Sequence, residues 1–206
     1  MAERVALIDY GAGNLHSVHN ALKAAGAVDV AVTSDPDSVA KADRIVLPGV
    51  GAFAACMGAL SAIDGMVEAM HRRVRSVGVP FLGICVGMQL LADQGTEHGK
   101  TAGLGWIGGT VRAIESDDAS IKVPHMGWND VRARAGAPLL ETGEAYFLHG
   151  FHFDAADDAD ILATTDHGAA LVAAIGRDNI VGVQFHPEKS QAYGIAMLQR
   201  FLEWKP

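Results

Sequence analysis

The chain has 206 residues, half of them apolar, and carries 16 Lys and Arg against 24 Asp and Glu for a formal charge of −8. That size and composition fit one globular domain, residues 1–206, with a sizeable core. The acidic balance and the scatter of basic residues argue against a nucleic-acid partner, and the one basic cluster, Arg72, Arg73 and Arg75, reads as a solvated helix face.

Apolar runs of strand length at 5–8, 28–32, 45–47 and 79–84 alternate with helix-like stretches, which predicts a parallel sheet wrapped by helices. Tyr10, Gly11, Ala12 and Gly13 follow the first run like the start of a dinucleotide fingerprint, with Asp35 where an acidic ribose partner belongs. The pattern fails at His16, which stands where a third small residue is needed for close packing, and this argues against a nucleotide site. The first helix is expected from Asn14, a good N-cap, to Ala25, with Gly26 as its stop. Residues 53–60 read as a helix that packs Cys56 inside. A further helix is expected over 63–77, stopping at Gly78.

The run 79–84 leads into Gly83, Ile84, Cys85, Val86 and Gly87, and a short helix is expected over 88–93. After about Thr101 the pattern changes to short β-like pieces at 110–114, 146–149, 161–165, 171–175 and 180–185, so hairpins and mixed pairing are expected there. Residues 154–160 read as an acidic, Ala-rich loop. The last element, 193–204, places Ile195, Leu198, Phe201 and Leu202 on one helical face. The expected fold is α/β, a three-layer open sheet, mixed but mainly parallel and flanked by helices, with an additional antiparallel β portion in the C-terminal half.

A thiol between two glycines at the end of a strand has the pattern of a nucleophile elbow. The sharp turn lifts the residue out of the sheet, and the glycines let backbones approach without Cβ clashes. A helix N-terminus at the sulfur favours thiolate, the attacking species. Such a nucleophile needs a base, and the base needs an orienting group. His186 ends the run 180–185, and Glu188 lies two residues beyond, close enough to accept an imidazole N–H, with Pro187 stiffening the link. Taken alone, that pair is also what an exposed loop would show. Pro48, Gly49, Val50 and Gly51 follow another strand end and can aim backbone N–H groups at an anion, together with the N–H of Val86.

His16 with His19, and His149 with His152, have spacings that can flank a metal, but neither pair has a Cys or carboxylate framework. No metal and no cofactor are expected. Two cysteines without metal-like spacing suit a reducing compartment. No signal-peptide pattern precedes the first strand and no apolar run approaches a membrane span, so a cytoplasmic protein with no membrane association is expected.

The segments around Cys85, with Met88 and Gln89, and from Phe185 through His186, Pro187 and Glu188, resemble the class I (triad) glutamine amidotransferases in content and order. Within that family Ile8, Asp9, Tyr10, Gly11, Gly13, Asn14 and Leu15, then Pro124, His125, Met126, Gly127, Trp128 and Asn129, and finally Lys189 and Ser190, are similar to the glutaminase subunits of imidazole glycerol phosphate synthases. The resemblance implies that Cys85 attacks the side-chain amide of glutamine, that His186 moves protons and that Glu188 orients His186. A glutamyl thioester would form, release ammonia and be hydrolysed to glutamate. It also implies a (βα)8-barrel cyclase partner, in a heterodimer, that uses the ammonia in histidine biosynthesis. Glutaminase subunits for anthranilate, aminodeoxychorismate or pyridoxal phosphate synthesis, and a non-catalytic regulatory subunit of the same fold, are the alternatives. The block at 124–129 speaks against the other synthases, and the complete set of Cys85, His186 and Glu188 against a non-catalytic relic.

By the same resemblance Gln89, Glu97, His149, Gly150 and Phe151 fall at glutamine-binding positions. Gly150 and Phe151 depart from the family pattern, in which a hydroxyl residue and commonly a Tyr follow the His, so only backbone contacts are retained there. Asn14, His125, Met126, Trp128, Asn129, Tyr146 and Lys189 are expected at the partner interface. Met126 and Trp128 beside Gly127, in a loop opened by Pro124, suit an apolar contact surface.

Overall fold

A computed structural model of the chain describes residues 3–116, 118 and 121–206; the first two residues of the expected N-terminal stretch lie outside these. The first half runs β1 (Arg4–Ile8), α1 (Leu15–Ala24), β2 (Asp29–Thr33), α2 (Pro36–Val39), β3 (Arg44–Gly49), α3 (Phe53–Ser61), α4 (Met66–His71), β4 (Phe81–Cys85) and α5 (Val86–Gln89). Then come β5 (Gln94–Gly95), β6 (Thr101–Ala102), β7 (Gly109–Ala113), β8 (His125–Ala133), β9 (Gly143–His149), β10 (Phe151–Ala155), β11 (Ile161–Asp166), β12 (Ala170–Arg177), β13 (Ile180–Val183) and α6 (Gln191–Glu203).

One nine-stranded sheet has the order β2-β1-β3-β4-β13-β12-β11-β8-β9. Its first five strands pair in parallel and the rest antiparallel. The parallel strands β3, β4 and β13 are buried along their whole length, as continuous apolar runs between two helical layers must be. The expected three-layer α/β fold is therefore present. A second sheet, ordered β10-β7-β5-β6, covers part of one side. No single helix among the described residues is long and apolar enough to cross a membrane.

Local chemistry sets the boundaries. Asn14 caps α1 by accepting from Ser17 N, and Gly26 leaves the helix at φ 107°. The helix expected over 63–77 begins only at Met66, because Gly65 is left-handed, and its last turn, Arg72–Ser76, is a π-helix. Arg73 does not lie free on that face: its Nε donates to Ala42 O at 2.7 Å.

The helix expected over 88–93 instead starts at Val86 and stops at Gln89. Its continuation is intercepted by the loop that follows. The carbonyls of Leu90, Leu91 and Ala92 accept from Leu104, Trp106 and Gly105 at 2.8, 2.9 and 3.0 Å, so the backbone is satisfied without another turn. The stretch 154–160 is not wholly loop. Its start closes β10, and a 3-10 turn at Asp158–Asp160 buries Asp160 against the guanidinium of Arg177, at 2.9 and 2.6 Å.

The largest departure is β8. Residues 124–129, expected as a loop, follow a cis Val123–Pro124 bond and enter a nine-residue strand paired to β9, with His125 opposite His149 and Trp128 opposite Tyr146.

Candidate active site

The parallel strands set three chain segments side by side at their carboxyl ends. Gly49 at the end of β3 is in register with Cys85 at the end of β4, and β13 runs beside β4 and delivers His186 just beyond its end. Cys85 sits at φ 54°, ψ −113°, a conformation costly for a residue with a side chain and typical of a nucleophile elbow. The glycines that frame it are required by close approach. A Cβ at Gly83 would come within 2.6 Å of the Gly87 carbonyl oxygen, and one at Gly87 would run into the carbonyl of Leu47.

Cys85 and His186 line one cavity, and Glu188 stands against His186. His186 Nδ1 lies 2.9 Å from Glu188 Oε1, with both side chains almost fully buried. Burial opposes charge on this imidazole, but the hydrogen bonds and charges of Cys85 and Glu188 outweigh it and push the pKa up to about 9. Nδ1 therefore donates to the carboxylate, and Nε2 is left for the thiol. Glu188 Oε2 is buried without a hydrogen-bond partner among the described residues.

The backbone of His186 is clamped by Tyr146 and Ser190, a role that the sequence pattern does not mark for either. Its N–H donates to Tyr146 O at 2.9 Å, its carbonyl accepts from Ser190 Oγ at 2.7 Å, and that same hydroxyl accepts from Tyr146 N at 2.9 Å. Gln184, fully buried, was outside the sequence-derived set. Its Nε2 lies 3.7 Å from Cys85 Sγ, and its Oε1 accepts from Gln89 Nε2 at 2.9 Å.

A cavity of about 300 Å³ opens onto Cys85 and His186. Val50, Gly51, Val86, Gln89, Glu97, His149, Gly150 and Phe151 line it, together with Pro124, Leu148 and Lys189, so all five expected glutamine-binding positions meet there. Glu97 and Gln89 are among those held by the protein itself. Glu97 accepts from Phe53 N at 2.9 Å, and Gln89 donates to Phe151 O at 3.1 Å. Gly150 leaves space: a Cβ there meets nothing closer than 3.9 Å.

The loop Pro48, Gly49, Val50 and Gly51 passes the thiol with two of its carbonyls pinned. Tyr10 Oη donates to Pro48 O at 2.7 Å, and Cys56 Sγ lies 3.4 Å from Val50 O. Burial and the neighbouring Cys56 push the Tyr10 phenol pKa up, which keeps its hydroxyl a donor. Cys56 thus packs in a helix, as expected, and also faces this loop. Tyr10 and Gly13, the residues of the failed dinucleotide pattern, both serve the loop, since a Cβ on Gly13 would stand 3.0 Å from Pro48.

The expected interface residues divide. Met126 and Trp128 are exposed at 62% and 47%, and Trp128 packs edge-on to Tyr146, over whose ring Lys189 Nζ sits 5.7 Å away. Asn14 is exposed at the start of α1. His125 is buried at 3% and cannot present its ring at the surface, because β8 turns it inward while Met126 faces out. Asn129 is half-buried beside it. His16 contacts Asn20 at 3.1 Å, and no group of three His, Cys, Asp or Glu among the described residues is placed to hold a metal.

A family model, glutamine amidotransferase class-I, matches residues 6–204, and the chain belongs to that family. Solved structures share the fold, among them a glutamine amidotransferase (TM-score 0.76, 18% identity, 97% of each chain) and PurLQS of Thermotoga maritima (0.71, 19%, 98% of this chain and 99% of that one). The more similar relatives are imidazole glycerol phosphate synthase subunits HisH. The chain is 60% identical to that of Zymomonas mobilis over 98% of its own length and 96% of the relative's. Against the HisH of Rhodospirillum rubrum the identity is 53%, covering 98% and 100% of the two chains.

Proposed function

We propose that this chain is the glutaminase subunit of an imidazole glycerol phosphate synthase, with Cys85, His186 and Glu188 as its catalytic residues. The observation that carries the reading is the 2.9 Å contact of His186 with Glu188, at the wall of the cavity that Cys85 and His186 line. Glutamine enters with its side-chain amide at the thiol. Cys85 Sγ forms a bond to the amide carbon, and the carbonyl electrons move to oxygen, where the N–H of Val86 and the loop 48–51 stabilise the charge. The imidazolium of His186 gives its proton to the leaving nitrogen, the C–N bond breaks, and ammonia departs from a glutamyl thioester. His186 then accepts a proton from water, whose oxygen displaces the sulfur and yields glutamate. Glu188 holds the imidazole in the tautomer that both steps need.

The ammonia passes to a cyclase subunit, a (βα)8 barrel, docked on the strip formed by Met126, Trp128, Tyr146 and Lys189, with Asn14 at its margin. The whole chain acts as one domain in the cytoplasm, where the thiols of Cys56 and Cys85 remain reduced. The test is glutamine-dependent product formation by the purified protein with and without the cyclase. Cys85→Ala is expected to abolish glutamine hydrolysis while leaving the complex intact. Full activity in that variant, or product formation only beside a different synthase, overturns the assignment.

A further inference from the structure

We infer that His125 and Asn129 are positioning residues for the pocket, the outer members of a hydrogen-bond relay that ties strand β8 to the nucleophile. The inference rests on the glutaminase reading above. The relay has three outer links: Asn129 Nδ2 to His125 Nε2 at 3.0 Å, His125 Nδ1 to His149 Nε2 at 3.0 Å, and His149 Nδ1 to Phe151 O at 2.9 Å. It continues inward because Phe151 O also accepts from Gln89 Nε2 at 3.1 Å, Gln89 Nε2 donates to Gln184 Oε1 at 2.9 Å, and Gln184 Nε2 lies 3.7 Å from Cys85 Sγ.

Each outer link admits one direction. Phe151 O only accepts, so the proton of His149 is on Nδ1, and its Nε2 accepts from His125 Nδ1–H. His125 Nε2 is then an acceptor, which Asn129 satisfies with an amide N–H. Asn129 has no freedom to turn over, because Nδ2 also donates to Asp166 O at 2.8 Å while Oδ1 accepts from Asp130 N at 2.8 Å. The polarity requires both imidazoles neutral, and burial supplies that by pushing the pKa of His149 down to about 3 and that of His125 down to about 4. The ring plane of His125 is fixed independently. It is stacked between Phe147 and His167 at centroid distances of 4.7 and 4.1 Å, and His167 is itself held by Lys122 O at 2.8 Å. The cavity wall at His149 and Phe151 is therefore oriented from β8, the strand whose outward face carries Met126 and Trp128.

The test uses the protein in complex with its cyclase and reads glutamine KM, kcat and the dissociation constant of the complex. His125→Phe keeps the stacked ring but removes both hydrogen bonds and orphans His149 Nε2; the expected result is a glutamine KM raised about tenfold with kcat and partner affinity within about twofold. His125→Gln, whose amide can donate to His149 and accept from Asn129, should recover most of that loss. Asn129→Ala should raise KM about threefold, and it carries the test if His125→Phe does not fold. Unchanged KM in these variants overturns the inference, as does equal loss in the Phe and Gln variants accompanied by a lowered melting temperature. Imidazole 15N spectra give a readout separate from turnover. Both rings are expected as neutral Nδ1–H forms, and an Nε2–H form of either overturns the relay even if the wild-type complex hydrolyses no glutamine, a result that would sink the glutaminase reading instead.

Discussion

Ser190 joins the base to the neighbouring strand: its hydroxyl donates to the His186 carbonyl at 2.7 Å and accepts from Tyr146 N at 2.9 Å. The residue is 1% exposed, so water cannot take over either bond. Ser190→Ala is expected to cost about 1–3 kcal/mol of stability, because Tyr146 N loses the hydroxyl it donates to and the His186 carbonyl is left with the Lys189 N–H at 3.0 Å alone. Turnover should fall more in kcat than in KM, since the displaced atom is the imidazole and not the pocket wall. Urea denaturation with steady-state kinetics checks both parts, and an unchanged kcat would show that the clamp has no bearing on the base.

The raised pKa of His186 makes a second prediction. In the folded protein its imidazole should titrate near pH 9. A folded pKa above the unfolded value contributes stability that is fully present below about pH 6.5 and is lost as pH rises through about 9. Cys85→Ala and Glu188→Gln should each lower the folded pKa, because each removes one of the groups that outweigh the cost of burial. Titration of the His186 ring resonances in the three proteins checks this, and an unmoved pKa in Cys85→Ala would contradict the coupling of thiol and imidazole.

The histidines behind the pocket have the opposite sign. His125 and His149 are held well below the ordinary value, so the unfolded chain binds more protons than the folded one in mild acid. Stability present above pH 6.5 should be lost as pH falls from there toward 4, by on the order of 1 kcal/mol per histidine per pH unit. Chemical denaturation at pH 7 and pH 5 checks the slope. His125→Gln, which cannot titrate, should make it shallower; an unchanged slope would argue that other groups govern the acid limit.

A pair of glycine substitutions separates close approach from helix propensity. Gly87→Ala drives a methyl group into the carbonyl of Leu47 and is expected to cost more than about 3 kcal/mol and to abolish turnover. Gly58→Ala, inside α3 with open space around the new methyl, should raise stability by about 0.5–1 kcal/mol. Thermal unfolding distinguishes them, and tolerance of Ala at 87 would mean that β3 and α5 can separate at the elbow.

Much of this was legible in the sequence because its causes are local. The glycine frame of Cys85, the pairing of His186 with Glu188 across one proline, and the cap at Asn14 each lie within a few residues. Strand β8 was not legible because its alternation is inverted. The inward positions His125, Gly127 and Asn129 are polar or small, whereas the outward Met126 and Trp128 are apolar, so a period of two looks like a loop. The contacts of Gln184 and Ser190 were not legible for another reason: their partners Gln89 and Tyr146 lie 95 and 44 residues away, and only the folded sheet brings them together.

The family resemblance implies a hydroxyl residue at the position of Gly150, and the structure leaves space for one. Its backbone is not in the left-handed region, and a Cβ would meet only Pro124 and Val123 at 3.9 Å. The residue lines the cavity between His149 and Phe151, so a short hydroxyl there can reach a ligand without moving the chain. Gly150→Ser also restricts the unfolded chain, which favours the folded state by a few tenths of a kcal/mol or more. One neutral hydrogen bond contributes about 0.5–1.5 kcal/mol, which corresponds to a glutamine KM lowered roughly two- to tenfold with kcat little changed. Steady-state kinetics on the complex with its cyclase checks this. A KM that rises in a variant of unchanged melting temperature would place the bound substrate against the bare backbone at Gly150, with no room for the oxygen.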